Sequence, residues 1–554
     1  MLRVLLLLLG LGLTAIFSAA CVDEIPTATQ ESRALETPEE STPHPDQAQQ
    51  AAEEATAPDD GSEDDQPIRT DIYSYRSVRR FADRMLEVLA AERVWCDEQV
   101  EVDALRAMLD DHDKEHIWRS LLVPAAGEDL RAVRIIAEAT AQARGIPMQE
   151  LPPVFLISRT SLRHHACLFE EIWEDPTDED RDWTVGRPAS RLAILLGQDV
   201  EDYSDLEQSW LSATLAWGWY GEIPDADELE PGADGVGEVI IVSRPSMPAV
   251  FVDVISHELV HFLQDQWTGW RLHDWYRDVE TTDQLQALRW VVEGDAALNE
   301  LYLLNAPLSD LLADFEWGPE RNAELALWYR AYHALTPQDS ENLFAAYDQG
   351  RSVLAALRED RGQEAIDALL LDPPESTEQL LHPEKLRLDE QPVELVDLER
   401  LRTEIFPEAD WSEPIVDRMG EQWLNTLILT TTRFTTLARA VATGWGSDQM
   451  ALWQSQDGSA EVVTWQVVFD HDAHHREAVN GLRGWFYSHS ALEAVPDQDD
   501  PANLHKWDGP NGAARLVIRP HSVWVVAADS PALADRVAEG IRSRAWTNYW
   551  PPDS

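Results

Sequence analysis

Two histidines four residues apart, with a glutamate beside the first, stand out as chemistry-bearing: His257-Glu258-Leu259-Val260-His261. On a helix, positions i and i+4 share one face, one turn apart, so both imidazoles can reach a single metal ion. The pattern HExxH is a zinc-binding signature. Two neutral imidazoles and one further protein ligand hold the ion, and the fourth position is left to a water whose pKa falls to about 7. Glu258 is then placed to take that water's proton.

The surrounding residues say what must position this group. From Ala249 to Leu263 nearly every residue is apolar, which predicts a helix buried on most of its circumference. The exceptions Asp253, His257, His261 and Asp265 recur every fourth residue and form a polar stripe. Burying imidazole and carboxylate groups without partners costs several kcal/mol, and a metal-lined cleft supplies the partners. GEVIIVSR, residues 237–244, reads as a strand leading into this helix. The third ligand must lie downstream. The position six after His261, where a metzincin carries its third histidine, is Trp267. TTDQLQALRWVVEGDAALNELYLL reads as a helix, with Thr281 and Gln284 at capping-box spacing. His273, Asp283 and Glu293 are the available ligands.

Trp290-Val291-Val292-Glu293-Gly294-Asp295-Ala296 resembles the W-x-x-E-G-x-A segment of the gluzincin clan of zinc peptidases. The resemblance implies Glu293 as third ligand, and a strand before the metal helix as the upper rim of a substrate cleft. Gly294 inside a helix costs about 1 kcal/mol relative to Ala, which fits a close approach of two helices. Tyr347-Asp348-Gln349-Gly350 resembles the Y-x-x-G segment of gluzincin aminopeptidases and their relatives, implying that Tyr347 donates to the oxyanion. The chain departs from thermolysin-like enzymes four residues after Glu293, where their histidine-orienting Asp is replaced by Ala297. Asp253 and Asp295 are the two alternatives for that role. HELVHFLQDQ, VVEGDAAL and PPESTEQLLHPEK together are similar to a group of exported bacterial proteins with a predicted zincin domain, over residues 150–480. Within the third stretch, Ser376-Thr377-Glu378-Gln379 and His382-Pro383 read as loop and cap chemistry.

The chain begins with one basic residue, Arg3, an apolar run and Ser18-Ala19-Ala20 before Cys21, the pattern of a signal peptide over residues 1–20. Ser18 to Cys21 resembles a bacterial lipobox, which implies a lipid on Cys21 and membrane attachment through it, although the lipobox pattern prefers Leu or Val where Ser18 stands and ordinary cleavage after Ala20 also fits; with the lipid, Val22 fits outer-membrane sorting in a Gram-negative envelope. Over residues 22–66 acids such as Glu53, Glu54, Asp59, Asp60, Asp64 and Asp65 stand against Arg33 alone, with almost nothing to bury, so 21–70 reads as an anchor and a disordered acidic linker. With 43 basic and 102 acidic residues, the net charge is −59. That excludes nucleic acid as a partner. Cys96 and Cys167 are the two cysteines left after Cys21, and export makes them a candidate disulfide. His164, His165 and Cys167 match no closed zinc pattern.

The expected fold class is α+β: a mainly helical zincin-like domain with a small mixed sheet over residues 148–390, preceded by helices at 71–147. A C-terminal α+β module with an antiparallel sheet follows at 391–554, in the order β-β-α-β-β-α. Asp470-His471-Asp472-Ala473-His474-His475 opens a helix there, and a second metal at that point is a minor alternative. The tryptophan-rich C-terminal half leaves room for a glycan-binding face without a motif for it. The function expected is an exported zinc metallopeptidase acting on peptides or proteins, with one Zn²⁺ held by His257, His261 and Glu293, Glu258 as base and Tyr347 as oxyanion donor. The alternative is a non-catalytic envelope lipoprotein that uses the same fold for binding or assembly.

Overall fold

The computed structural model describes residues 123–157, 186–196, 218–222, 238–243, 248–300 and 345–543, with short breaks at 389, 394, 396, 408–409, 433–434, 489–491, 497–502 and 511. The expected signal peptide, Cys21, the acidic linker, most of the 71–147 helical region, and Cys96 and Cys167 lie outside the described residues, as does the side chain of His273.

In chain order the first half contains β1 (Val123–Pro124), α1 (Gly127–Arg144), β2 (Val154–Ile157), α2 (Arg187–Leu195), β3 (Gly218–Glu222) and β4 (Glu238–Ser243). The helices that follow are α3 (Pro248–Thr268), α4 (Leu272–Asp278) and α5 (Thr282–Leu298). The four strands form one sheet in the order β1-β2-β4-β3, with β2 and β4 parallel and the outer pairs antiparallel. The strand just before α3 is therefore interior. The strand outside it is β3, a Trp- and Tyr-bearing segment. It pairs Trp219 with Ile241 and forms the sheet edge on the α3 side.

Helix α3 is apolar nearly all round because it is covered on several sides, by β3 and β4, by α1 and by α5. Helix α5 is buried from Leu285 to Leu298. Its N-cap is Thr281, whose hydroxyl accepts from Gln284 N at 3.2 Å; the Gln284 carboxamide accepts from Glu280 N instead of closing the box on Thr281.

After residue 344 a single π-helical turn (Ala345–Gln349) runs into α6 (Gly350–Arg361), then α7 (Gln363–Leu371), α8 (Thr377–Leu381), α9 (Pro383–Leu388) and α10 (Asp397–Glu404). The tightest element contact of the half that carries the two histidines and Glu293 is the crossing of α5 with α6. A Cβ on Gly294 would lie 2.5 Å from the carbonyl carbon of Gly350, and one on Gly350 would lie 2.5 Å from the Trp290 carbonyl oxygen. Both obstacles are backbone, so only glycine fits at either position.

The C-terminal half comprises β5 (Ile415–Asp417), α11 (Gly420–Thr432), α12 (Thr435–Ala442), β6 (Trp445–Gln454), β7 (Glu461–Phe469), α13 (Asp472–Ser488), β8 (Glu493–Ala494), β9 (Leu504–Asp508), β10 (Ala513–Arg519), β11 (Ser522–Ala528) and α14 (Pro531–Ser543). These strands form one antiparallel sheet, β5-β6-β7-β11-β10-β9-β8. The ββα pairs β6-β7-α13 and β10-β11-α14 match the expected order, while β5, β8 and β9 extend the sheet beyond it. Strand period explains the sequence: Met450, Leu452, Val463, Trp465, Val523 and Val525 face α11–α13, and Ala451, Trp453, Val462, Trp524 and Val526 face α10 and α14. Because helices cover both faces, the strands are apolar at successive positions. Trp445, Trp453, Trp465, Trp507 and Trp524 are at most 2% exposed, so these tryptophans build the core and offer no glycan-binding face.

The two halves interlock. Helix α2 puts Leu192, Leu195 and Leu196 into the C-terminal core. The carboxylate of Asp417, at the end of β5, accepts from Thr282 N (2.7 Å), Thr282 Oγ1 (2.7 Å) and Gly186 N (2.6 Å). That places a carboxyl group at the N-terminus of α5, where the helix dipole favours it. Asp283 in turn accepts from Thr377 N and Oγ1 at 2.9 and 2.8 Å. The whole arrangement is mixed α+β.

Gly294→Ala and Gly350→Ala are each expected to lower folding stability by about 1–3 kcal/mol, because an extra methyl meets main chain that cannot yield. Urea unfolding of the two variants beside wild type measures this; unchanged midpoints would contradict the close crossing.

Candidate metal centre

Helix α3 carries His257 and His261 on one face, with ring centroids 4.8 Å apart and planes at 82°. Helix α5, packed against it, brings Glu293 between them. Glu293 Oε2 lies 3.3 Å from His257 Nε2 and 3.4 Å from His261 Nε2. Ligand atoms about 2.0–2.1 Å from a tetrahedral zinc ion are about 3.3 Å apart, so this spacing fits the ion. One atom from each of the three residues lies within 4.8 Å of the others, and no other such group occurs among the described residues. All three are buried. Asp283, the rival ligand, is at the other end of α5 and is bound to Thr377. His471 and His474 have ring centroids 5.5 Å apart, His475 Nε2 donates to Ser522 O, and Asp470 pairs with Lys385, so the 470–475 run forms no second centre.

The electrostatics also ask for a cation. Burial works against a charge on His257, but hydrogen bonds to Glu293 and Glu300, with Glu258 nearby, outweigh it and push its pKa up to about 10. Glu293 is held well below the usual carboxylate range: burial opposes its charge, and the two imidazoles more than compensate. Burial pushes Glu258 well above its ordinary value; His257 offsets part of this, and Glu293 and Glu300 add to it. Both Glu258 oxygens and His261 Nε2 are buried without a hydrogen-bond partner. A dication between these groups answers the negative charge, returns Glu258 to its ionised form and occupies the orphaned nitrogen. The residues therefore fit a zinc ion.

Metal-binding histidines need a partner on the other ring nitrogen to fix tautomer and orientation. His257 Nδ1 donates to Glu300 Oε1 at 3.1 Å, and His261 Nδ1 donates to Gln264 Oε1 at 2.9 Å. Neither Asp253 nor Asp295 holds a ring nitrogen. Asp253 is buried one turn before His257, and Asp295 sits one step further back, accepting from Gln264 Nε2 at 3.0 Å. Glu300 and Gln264 escape the sequence reading, although Gln264 stands three residues after His261 and Glu300 seven after Glu293, both helical spacings. The remaining QDQ residues are structural. Asp265 accepts from Tyr220 Oη (2.7 Å) on β3 and Leu272 N (2.9 Å), and Gln266 clasps the loop after α1 through Gln149 N and Pro147 O.

Tyr347 lies in the π-helical turn, a local widening often found at functional sites. Its ring stacks on His257 at 5.8 Å and 28°, and its hydroxyl is buried without a regular hydrogen bond. Burial, and then Glu293, raise its pKa well above the ordinary tyrosine value, so it remains a donor. Strand β3 also closes on the base: a Cβ at Gly218 would come 2.8 Å from Glu258 Oε1 and 2.6 Å from Val254 Cγ1.

The protein is expected to bind about one zinc ion per chain. In the metal-free site His257 keeps its second proton up to a pKa of about 10, so loading near pH 8 is expected to release at least one proton per ion, with any proton given up by Glu258 adding to it, and affinity is expected to rise with pH. Calorimetry in buffers of different ionisation enthalpy counts that proton; binding heats independent of the buffer would exclude His257 Nε2 as a ligand. Glu293→Ala is expected to lose most of the affinity.

Residues 410–538, the body of the C-terminal sheet module, match a family described as a domain of unknown function (DUF8575). No curated protein and no solved structure matches the chain.

Proposed function

We propose that the protein is a zinc-dependent metallopeptidase of the gluzincin type, built on a zincin-like fold, exported, and tethered to the cell envelope through Cys21. The observation that carries this reading is Glu258: a buried carboxylate with no hydrogen-bond partner of its own, beside two imidazoles and a second carboxylate at zinc spacing. Metal binding alone does not call for that glutamate.

When bound, the zinc ion supplies Lewis acidity at the scissile carbonyl and makes water nucleophilic near neutral pH. Strand β3 supplies main-chain hydrogen-bonding groups along its outer edge for an extended peptide. Glu258 takes a proton from the attacking water and passes it to the leaving amine nitrogen. The Tyr347 hydroxyl donates to the oxygen on which negative charge develops. Glu300 and Gln264 hold both Nδ1–H groups, which keeps the Nε2 lone pairs turned toward the centre. Attachment rests on the lipobox-like N-terminus; no helix among the described residues is long and apolar enough to cross a membrane.

Glu258→Gln is expected to cut hydrolysis of a peptide library by about 10²–10⁴-fold while zinc content stays at the wild-type level. Tyr347→Phe is expected to lower kcat by roughly 10²-fold with little change in KM. Full function of Glu258→Gln in cells, with no hydrolysis by the wild type, would instead support the non-catalytic binding module.

A further inference from the structure

Behind His261 the polar contacts do not end at Gln264. Gln264 Nε2 donates both to Val292 O (2.9 Å) and to Asp295 Oδ2 (3.0 Å). The same Asp295 oxygen accepts from Arg144 Nε at 2.9 Å, and Arg144 NH2 reaches Asp367 Oδ1 on α7 at 2.7 Å. The side chains of Arg144 and Asp295 are both 0% exposed. Arg144 is the last residue of α1, and Gly145 (φ 80°) turns the chain away immediately after it. Asp295 Oδ1 accepts from Asn299 Nδ2 at 3.0 Å, so both oxygens of this carboxylate are occupied.

Resting on the zinc-site reading above, we infer that Arg144 is a positioning residue for the metal centre, acting through Asp295 and Gln264 on His261. The physical reason is the symmetry of a carboxamide. Gln264 can present either its oxygen or its NH2 group to His261 Nδ1. With the oxygen there, His261 carries its proton on Nδ1 and offers the Nε2 lone pair to the metal. With the NH2 group there, the imidazole turns to the tautomer protonated on Nε2, which cannot bind. Two acceptors, Val292 O and the Asp295 carboxylate, hold the NH2 group on the far side. Asp295 remains a strong acceptor only while its charge is answered, and within this dry interface Arg144 answers it. Removing the guanidinium takes away the contact that holds the Asp295 carboxylate in place, so the Gln264 NH2 group loses the fixed position of its second acceptor. Removing one member of a buried ion pair also lowers folding stability, so affinity and melting temperature have to be read side by side. Arg144 also makes α1 part of the metal centre, although α1 carries no ligand.

The test is zinc affinity of the full chain by chelator competition, beside the melting temperature of the zinc-free form. Arg144→Met and Gln264→Leu are each expected to weaken binding on the order of ten- to a hundredfold. The double variant is expected to be no weaker than the worse single one, because both changes break one chain of contacts. Arg144→Lys, which keeps a cation at Asp295, is expected to recover most of the affinity. If Arg144→Met does not fold, Arg144→Gln provides the same comparison. Wild-type affinity in the Arg144 variants with only a lower melting temperature would overturn the inference and leave the peptidase reading intact, as would losses that multiply in the double variant. A wild-type protein that binds no zinc would overturn both.

Discussion

A group of ionisable side chains cannot be taken out of water unless each charge is answered nearby, and the half of this protein that carries the two histidines and Glu293 is arranged around that requirement. His257, Glu258, His261, Glu293 and Glu300 are all at most 4% exposed. Their own hydrogen bonds leave both Glu258 oxygens and one histidine nitrogen unsatisfied, and a cation held by His257, His261 and Glu293 would answer them. The same requirement propagates outward. Glu300 and Gln264 fix the imidazoles, Asp295 fixes Gln264, and Arg144 neutralises Asp295.

Meeting that requirement demands that helices approach closely without side chains intervening. The paired glycines at 294 and 350 let α6 settle on α5, and the π-helical turn ahead of α6 then sets Tyr347 over His257. On the opposite side Gly218 lets β3 lie over Glu258, and Tyr220 fastens that strand to Asp265 on α3. Glycine here buys proximity at sites where any other residue would push a functional group out of line.

The C-terminal sheet module contributes to the centre at a distance. Asp417 anchors the first turn of α5, and the segment around α8 and α9 ties the halves together. Ser376 caps α8 by accepting from Glu378 N, and Thr377 binds Asp283 near the start of α5. Lys385 pairs with Glu378, Glu390 and Asp470 at 2.7–2.9 Å, and His382 pairs with Glu421 at 2.9 Å. Burial pushes Glu378 up to about 8, with Lys385 opposing, which marks this clasp as a low-water interface. The STEQLLHPEK run thus serves as a joint between the halves, in keeping with loop and cap chemistry and apart from the metal.

The sequence alone determined what local periodicity can encode: two histidines on one helix face, a base beside the first, a cap at Thr281, a second helix bearing Glu293, and a ββα-ββα order near the C-terminus. Each depends on spacing within a few residues, where backbone geometry dictates which side chains share a face. Tertiary structure brought Glu293 to the histidines and left Asp283 on Thr377, because that depends on how α5 crosses α3. It also decided that β3 is the outer strand and β4 interior, since strand order is set by pairing between distant segments. Asp253 and Asp295 had equal claims to orient a histidine, yet Glu300 and Gln264 do so. A hydrogen-bond partner is selected by ångström-scale packing across elements, as Arg144 and Asp295, 151 residues apart in the chain, demonstrate.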